Sequence, residues 1–216
     1  VYFSRLEKPA GGVYVEDGDI ILEDGDKKIN VLAIKDLKLM GAHNVENVLA
    51  AVGISYYMGV PVDVIRDVAT SFKAVAHRIE YVDTIDGVAY YNDSKGTNPD
   101  AAIKGIQAMV APTFLIGGGY DKGSEYDEWI EAFDGKVKLL VLIGQTRENI
   151  AECAKKHGME NIVLADSFEE AMDTCVKAAC PGDAVLLSPA CASWGMFPNY
   201  EVRGKMFKEY VNSLKG

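Results

Sequence analysis

The sequence predicts an α/β fold: a mostly parallel sheet flanked by helices, preceded by a smaller piece made of a β meander and helices. Three observations carry this. From Ile79 onward, strand-like runs alternate with segments of helical period. Those runs are short, continuously apolar and β-branched, as strands become when helices cover both faces. Before Leu39 the apolar runs are instead broken by Asp-Gly punctuation, which marks hairpins.

The bulk numbers set limits. At 216 residues the chain can hold one large domain or two small ones. Its 22 basic and 32 acidic residues give a net charge of −10. That balance argues against nucleic acid or an anionic membrane as a general partner, since both select basic surfaces. No apolar run approaches the roughly 18 residues a membrane span needs, and no signal peptide is visible, so a cytoplasmic setting is expected. Cys153, Cys175, Cys180 and Cys191 form no CxxC pair and are expected to be buried, reduced thiols. His43, His77 and His157 lack metal-ligand spacing, and no metal ligand is assigned. Because the chain opens on Val1 in what reads as mid-strand, it is expected to be part of a longer protein.

Taken in order, Val13–Val15, Ile20–Leu22 and Ile29–Ile34 form the meander. At Asn44 the period changes: Val45, Val48, Leu49, Val52 and Tyr56 share one helical face, predicting a helix to about Met58, stopped by Gly59. A second helix is expected over 62–71. Asn44 and Asn47 share a face of the first turn. Asn44 reads as a helix cap, and the carboxamide of Asn47 can satisfy a purine edge. A linker is expected over 72–76. Beyond it come strands at 79–82, 88–91, 113–116, 137–143, 162–164 and 184–187. Helices are expected at 99–109, 126–133, 147–157, 168–180 and 201–214.

In open parallel sheets ligands sit beyond the carboxyl ends of the strands. Three loops there have suitable chemistry. The first, Asp93-Ser-Lys95-Gly-Thr97-Asn98, enters a helix through Asn98 and Pro99, where free N–H groups favour anions. Asp93 can take ribose hydroxyls or a cation, Lys95 can neutralise an oxyanion, and Thr97 can donate a directed hydrogen bond. The second, Gly117 to Ser124, combines glycines that let backbone approach a ligand with Lys122, suited to a carboxylate or phosphate. It fails both the dinucleotide and the P-loop patterns. The third, Ser188 to Tyr200, offers Ser193 as a donor. Cys191 is not read as a nucleophile, because no histidine lies nearby in sequence and no acyl-transfer signature surrounds it.

Together these segments resemble a known family. Gly-Ala-His-Asn-Val-Glu-Asn-Val-Leu-Ala-Ala (41–51), His77-Arg-Ile-Glu80, Asn92-Asp-Ser-Lys-Gly-Thr-Asn-Pro99 and Leu-Leu-Ser-Pro-Ala-Cys-Ala-Ser-Trp (186–194) are similar to the ordered motifs of the Mur ligases. The last motif, with the Asn199-to-Gly204 segment after it, points to the branch that adds D-glutamate.

The resemblance implies a cytoplasmic, monomeric, ATP- and Mg2+-dependent ligase of peptidoglycan synthesis. Its other substrates would be D-glutamate and UDP-N-acetylmuramoyl-L-alanine. Residues 1–72 would be the tail of the central ATP-binding domain, and residues 73–216 the Rossmann-like C-terminal domain that receives the amino acid. The implied roles put Asn44 and Asn47 near the nucleotide, Arg78 at the γ-phosphate and Asp93 on the ribose. Lys95 and Thr97 would face the reaction centre, with Lys95 and Arg78 catalytic. Lys122, Ser193 and the residue at Tyr200 would hold the carboxylates of D-glutamate.

Tyr200 stands where phenylalanine is expected and Gly96 where alanine is common, and neither change is expected to be costly. No GxxxxGK[ST] occurs, so the phosphate-gripping loop and most Mg2+ ligands would lie upstream, and this piece alone is expected to be inactive. Two readings stand beside this one: a folylpolyglutamate-type or other Mur-type ligase, and a non-catalytic nucleotide-binding module. A nicotinamide-dependent dehydrogenase is disfavoured by the failed glycine fingerprint.

Overall fold

A computed structural model describes residues 1–39, 41–73 and 75–215. The chain divides into two compact units, Val1–Ala74 and Val75–Gly216. Ala74, inside the expected linker, lies outside the described residues.

In the first unit β1 (Phe3–Ser4), β2 (Gly12–Glu16), β3 (Asp19–Asp24) and β4 (Lys27–Ala33) form a sheet in that order. β1 runs parallel to β2, and the other pairs are antiparallel. Asp17 and Gly18 both take positive φ (51° and 85°), which a two-residue hairpin turn between twisted strands requires. A single 3-10 turn (Ile34–Asp36) leads toward α1 (Ala42–Tyr57), and α2 (Val62–Ser71) follows. Val45, Val48, Leu49 and Val52 of α1 and Ile65 of α2 pack on Val13, Ile20, Leu22 and Val31. Burying each such side chain contributes about 1.5–3 kcal/mol. The helix begins two residues earlier than its apolar period suggests. Gly41 (φ 89°) is its N-cap with no side-chain cap, so Asn44 lies inside the first turn and does not cap.

The second unit is a six-stranded sheet. Its elements are β5 (Glu80–Ile85), β6 (Val88–Asn92), α3 (Pro99–Gln107), β7 (Thr113–Gly119), α4 (Asp127–Glu131) and β8 (Val137–Gly144). They continue with α5 (Arg147–Lys156), β9 (Ile162–Leu164), α6 (Phe168–Ala178), β10 (Ala184–Leu187) and α7 (Tyr200–Ser213). Strand order is β5-β6-β10-β7-β8-β9. β5 is an antiparallel edge, and the rest is parallel. On one face Phe168, Met172 and Cys175 of α6 and Phe207 and Val211 of α7 cover Tyr90, Phe114, Ile116, Val141 and Val185. Alternate strand residues (Leu115, Leu140, Leu142, Leu186) point to the other face and are fully buried there. On that side α3 packs on α4 and α4 on α5. Among the described residues no helix is long and apolar enough to cross a membrane.

Two expectations need correction. β7 does not stop at Ile116: Gly117, Gly118 and Gly119 stay paired with Leu142, Ile143 and Gly144 of β8 and are buried. The missing side chains serve packing rather than a ligand. A Cβ on Gly117 would stand 2.7 Å from the Trp129 ring, on Gly118 2.3 Å from the Ile143 carbonyl, and on Gly119 2.4 Å from the Ala192 carbonyl. Ile79, read as strand, lies just outside β5 with φ 47°, an uncommon conformation for a β-branched residue.

Candidate active site

The strands β6, β10 and β7 are parallel neighbours, so the segments leaving their carboxyl ends (93–98, 188–199 and 120–126) emerge at one rim. From β7 the chain turns to α4 on one face of the sheet; from β10 it turns to α7, which packs against β5 and β6 on the other. Connections that diverge this way open a crevice between the two strand ends. Tyr120 N–H donates to the Ala192 carbonyl (2.9 Å) and Gly118 N–H to that of Pro189 (2.8 Å), tying the second loop to the third.

Beneath the rim lies a buried polar web. Asp93 is 3% exposed; its Oδ2 accepts from Ser188 Oγ (2.7 Å) and its Oδ1 from Ile79 N–H (3.2 Å). Burial lifts its carboxyl to about 7, while those two donors and the charges of Arg78 and Arg203 pull the other way. Arg203 is fully buried. Its Nε donates to Ser94 Oγ (2.9 Å), Nη2 to the Ser94 carbonyl (2.8 Å) and Nη1 to the Cys191 carbonyl (3.2 Å). One planar fork thus joins α7, the β6 loop and the β10 loop, a geometry that a lysine cannot reproduce. Ser94 Oγ in turn donates to the Tyr200 carbonyl (2.8 Å). Asn92 Nδ2 reaches the Gly204 carbonyl and His77 Nδ1, both at 3.0 Å. The positive φ values of His77 and Ile79 are held by these contacts.

The residues singled out from sequence fall into two groups at this rim. Arg78 and Lys95 are brought side by side, because Lys95 N–H donates to the His77 carbonyl (2.9 Å); both side chains are exposed. Thr97 follows, half-buried, and Asn98 Oδ1 caps α3 by accepting from Ala101 N–H (2.9 Å), with Pro99 in the first turn. At the other group, Lys122 is exposed with Nζ 5.0 Å from the centre of the Trp194 ring, which also meets Tyr120 edge-on. Ser193 is 3% exposed, its carbonyl accepting from Phe197 N–H (2.9 Å). Tyr200 begins α7 and contributes its backbone carbonyl.

Two placements differ from expectation. The Asp93 carboxylate is turned inward as an anchor for its own loop and reaches a ribose only if the Ser188 and Ile79 contacts open. Gly96 is not freely exchangeable: a Cβ there would stand 2.7 Å from Asp93 Oδ2 and 3.2 Å from Ser188 Oγ.

In the first unit, Asn47 is exposed and its Nδ2 lies 3.4 Å from Asn44 Oδ1. Asn47 also borders an apolar cavity of about 320 Å3 between α1 and α2, lined by Val48, Val52, Ile65 and Val68.

Arg203 was not selected from sequence, although a signal exists: it shares a helical stripe with Phe207 and Val211, where an arginine must be buried. Cys191 sits between Tyr126 Oη (3.2 Å) and Thr146 Oγ1 (3.4 Å), and burial pushes its thiol up, away from the thiolate a nucleophile needs. The expectation that no histidine has metal-ligand spacing missed the i, i+4 pair Cys153–His157, which α5 brings together with Asp127.

The donor set at the rim suits anions: exposed cations at the N-terminus of a capped helix, with the one carboxylate of that loop turned away. The 93–98 loop does not suit Mg2+, which takes exposed oxygen ligands, because its carboxylate, Asp93, is buried. The residues grouped for a metal elsewhere bring sulfur and imidazole, which favour softer ions.

Known proteins resemble this chain along nearly its whole length. The chain is 58% identical over 214 residues to the UDP-N-acetylmuramoylalanine–D-glutamate ligase of Lachnospira eligens, covering 99% of this chain and 48% of that one. To the enzyme of the same name from Clostridioides difficile it is 51% identical, covering 100% and 48%. The chain therefore spans about half the length of the curated relatives it matches. Among solved structures, UDP-N-acetylmuramate-alanine ligase from Thermotoga maritima superposes with a TM-score of 0.68 at 16% identity, covering 99% of this chain and 48% of that one. Folylpolyglutamate synthase from Mycobacterium tuberculosis, complexed with ADP, gives 0.61 at 15%, covering 90% and 46%. The family described as "Mur ligase, glutamate ligase domain" matches residues 77–191, more than half of the chain, and this chain belongs to the Mur ligase family.

Proposed function

We propose that this chain is the C-terminal part of an ATP-dependent ligase that joins D-glutamate to UDP-N-acetylmuramoyl-L-alanine in cytoplasmic peptidoglycan precursor synthesis. The muramoyl-alanine carboxylate takes the γ-phosphoryl of ATP, releasing ADP. The amine of D-glutamate then attacks the acyl phosphate, forming the amide and releasing phosphate and a proton. The protein's part is electrostatic stabilisation and positioning. Arg78 and Lys95 face the transferring phosphoryl, and Thr97 donates beside them. Lys122, with Ser193 and the backbone at Tyr200, holds the carboxylates of D-glutamate. Asn47, with Asn44 behind it, meets the adenine at the cavity between α1 and α2. Asp93 holds the Arg78–Lys95 loop from beneath and takes the ribose when that loop opens. Residues 1–72 belong to the central ATP-binding domain, and residues 73–216 form the amino-acid-receiving domain of a monomeric enzyme. Mg2+ supplies charge neutralisation on the phosphates from ligands upstream of this chain.

The observation that carries this reading is the 58% identity over 214 residues, a match that spans both units. The test is phosphate release with ATP, UDP-N-acetylmuramoyl-L-alanine and D-glutamate, run on the full-length protein and on this chain alone. Release by the full-length protein only, and only with D-glutamate among amino acids, is expected. Turnover by this chain alone, or a preference for another amino acid, would overturn it.

A further inference from the structure

Asp127, Cys153 and His157 offer one oxygen, one sulfur and one nitrogen, all within 4.8 Å of one another. They come from two helices. Asp127 opens α4, while Cys153 and His157 lie one turn apart at the end of α5. His157 Nε2 is 2.9 Å from Asp127 Oδ1, and its other ring nitrogen, Nδ1, faces Glu131 Oε1 at 3.8 Å. A carboxylate on the far nitrogen of an imidazole is the usual outer partner of a metal-bound histidine, fixing its ring and tautomer. Cys153 is 9% exposed and supplies the inner wall, whereas Asp127 and His157 are open to solvent, so an ion has a way in. The local field is favourable. α4 carries Asp127, Glu128 and Glu131 with no basic residue, and the negative end of the α5 dipole converges at His157. Lys155 and Lys156 in the last turn of α5 oppose this, but three carboxylates outweigh two ammonium groups.

We propose that Asp127, Cys153 and His157 bind a zinc-class divalent cation, with Glu131 as outer partner and water at the fourth position. A thiolate–imidazole–carboxylate set selects Zn2+ or Co2+ over Mg2+ or Ca2+. Tetrahedral bonds of about 2.0–2.3 Å place such ligands roughly 3.5 Å apart, a small rotamer adjustment from the present spacing. Binding releases the thiol proton of Cys153 to solvent. The site is distinct from the rim: α5 starts where β8 ends and carries His157 about 15 Å away, at 1.5 Å per residue. Its effect is to clamp the one-turn helix α4, which follows the Lys122 loop, onto α5.

The probe is Co2+, titrated into the full 216-residue chain and followed by absorbance. A one-to-one complex with a thiolate-to-cobalt band in the near ultraviolet and visible bands of a tetrahedral ion is expected, displaced by Zn2+. Cys153→Ser should abolish the near-ultraviolet band, and Glu131→Gln should weaken binding by about tenfold. Since Cys153 is buried and its variant can misfold, the exposed substitutions His157→Asn and Asp127→Asn repeat the test, and both should remove tetrahedral binding. Cys180→Ser, which alters the exposed cysteine, should leave the spectrum intact. No cobalt band, a band that survives His157→Asn, or one lost with Cys180→Ser would overturn the proposal.

Discussion

Replacing Arg203 by methionine tests the buried web directly and needs no substrate. The side chain is fully buried, and its three hydrogen bonds end on Ser94 Oγ, the Ser94 carbonyl and the Cys191 carbonyl. Methionine fills much of the volume but leaves buried acceptors without donors. Each such bond to a charged donor contributes about 1.5–3 kcal/mol, yet the losses overlap, and removing one partner of a buried charged network typically costs about 3–5 kcal/mol. For a chain of this length roughly 2–4 °C of Tm goes with each kcal/mol, so a fall of about 6–20 °C is expected. Both tryptophans, Trp129 and Trp194, lie in the second unit, so their fluorescence in urea follows that unit alone. Arg203→Lys keeps the charge without the fork and should lose about half as much. A loss below about 1 kcal/mol for Arg203→Met, within the range of ordinary surface changes, would refute the reasoning.

Three further outcomes are expected. Gly105→Ala should destabilise, although alanine in a helix interior normally gains about 1 kcal/mol over glycine, because the new Cβ would stand 2.7 Å from both Asp93 Oδ2 and Ser188 Oγ; a raised Tm would contradict the packing. Burial lifts Asp93 to about 7, whereas an unfolded carboxyl titrates near 3.9, so the folded chain binds the extra proton between those values. The stability this group contributes is therefore greatest below pH ~4 and declines toward pH ~7, so the stability of wild type relative to Asp93→Asn should fall over that range in urea titrations. A flat or rising difference would count against it. In the full-length enzyme Lys122→Ala should raise KM for D-glutamate about 10- to 100-fold, from loss of a charged hydrogen bond of roughly 1.5–3 kcal/mol, with little change for ATP; equal effects on both would refute the assignment.

The strand–helix alternation was readable because period and β-branching agree from residue 80 to the end. Boundaries moved where backbone geometry outweighed apolar period. Gly41 starts α1 at Ala42, and three glycines remain in β7 because Trp129, Ile143 and Ala192 crowd against them. Arg78, just before β5, was singled out through the resemblance, whereas Lys95 and Lys122 were legible as cations on loops past strand ends. The supports beneath them were not. Arg203 and Ser188 are distant in sequence, and only the insertion of β10 beside β6 brings Ser188 under Asp93. The Cys153–His157 spacing was visible, but its oxygen partner sits 26 residues before Cys153 on another helix.

The position of β10 has a consequence for how the chain is made. Of the six strands described in this sheet, the latest in sequence, β10, occupies an interior slot, with β6 on one side and β7 on the other. Until residues 184–187 emerge, a β5–β6 ribbon and a β7–β8–β9 ribbon each present an unpaired, apolar strand edge, the kind of surface that recruits stray strands. During synthesis the nascent second unit is therefore two half-sheets waiting for a keystone. A ribosome stalled before Ala184 would release a species prone to aggregate, however well its earlier elements had formed.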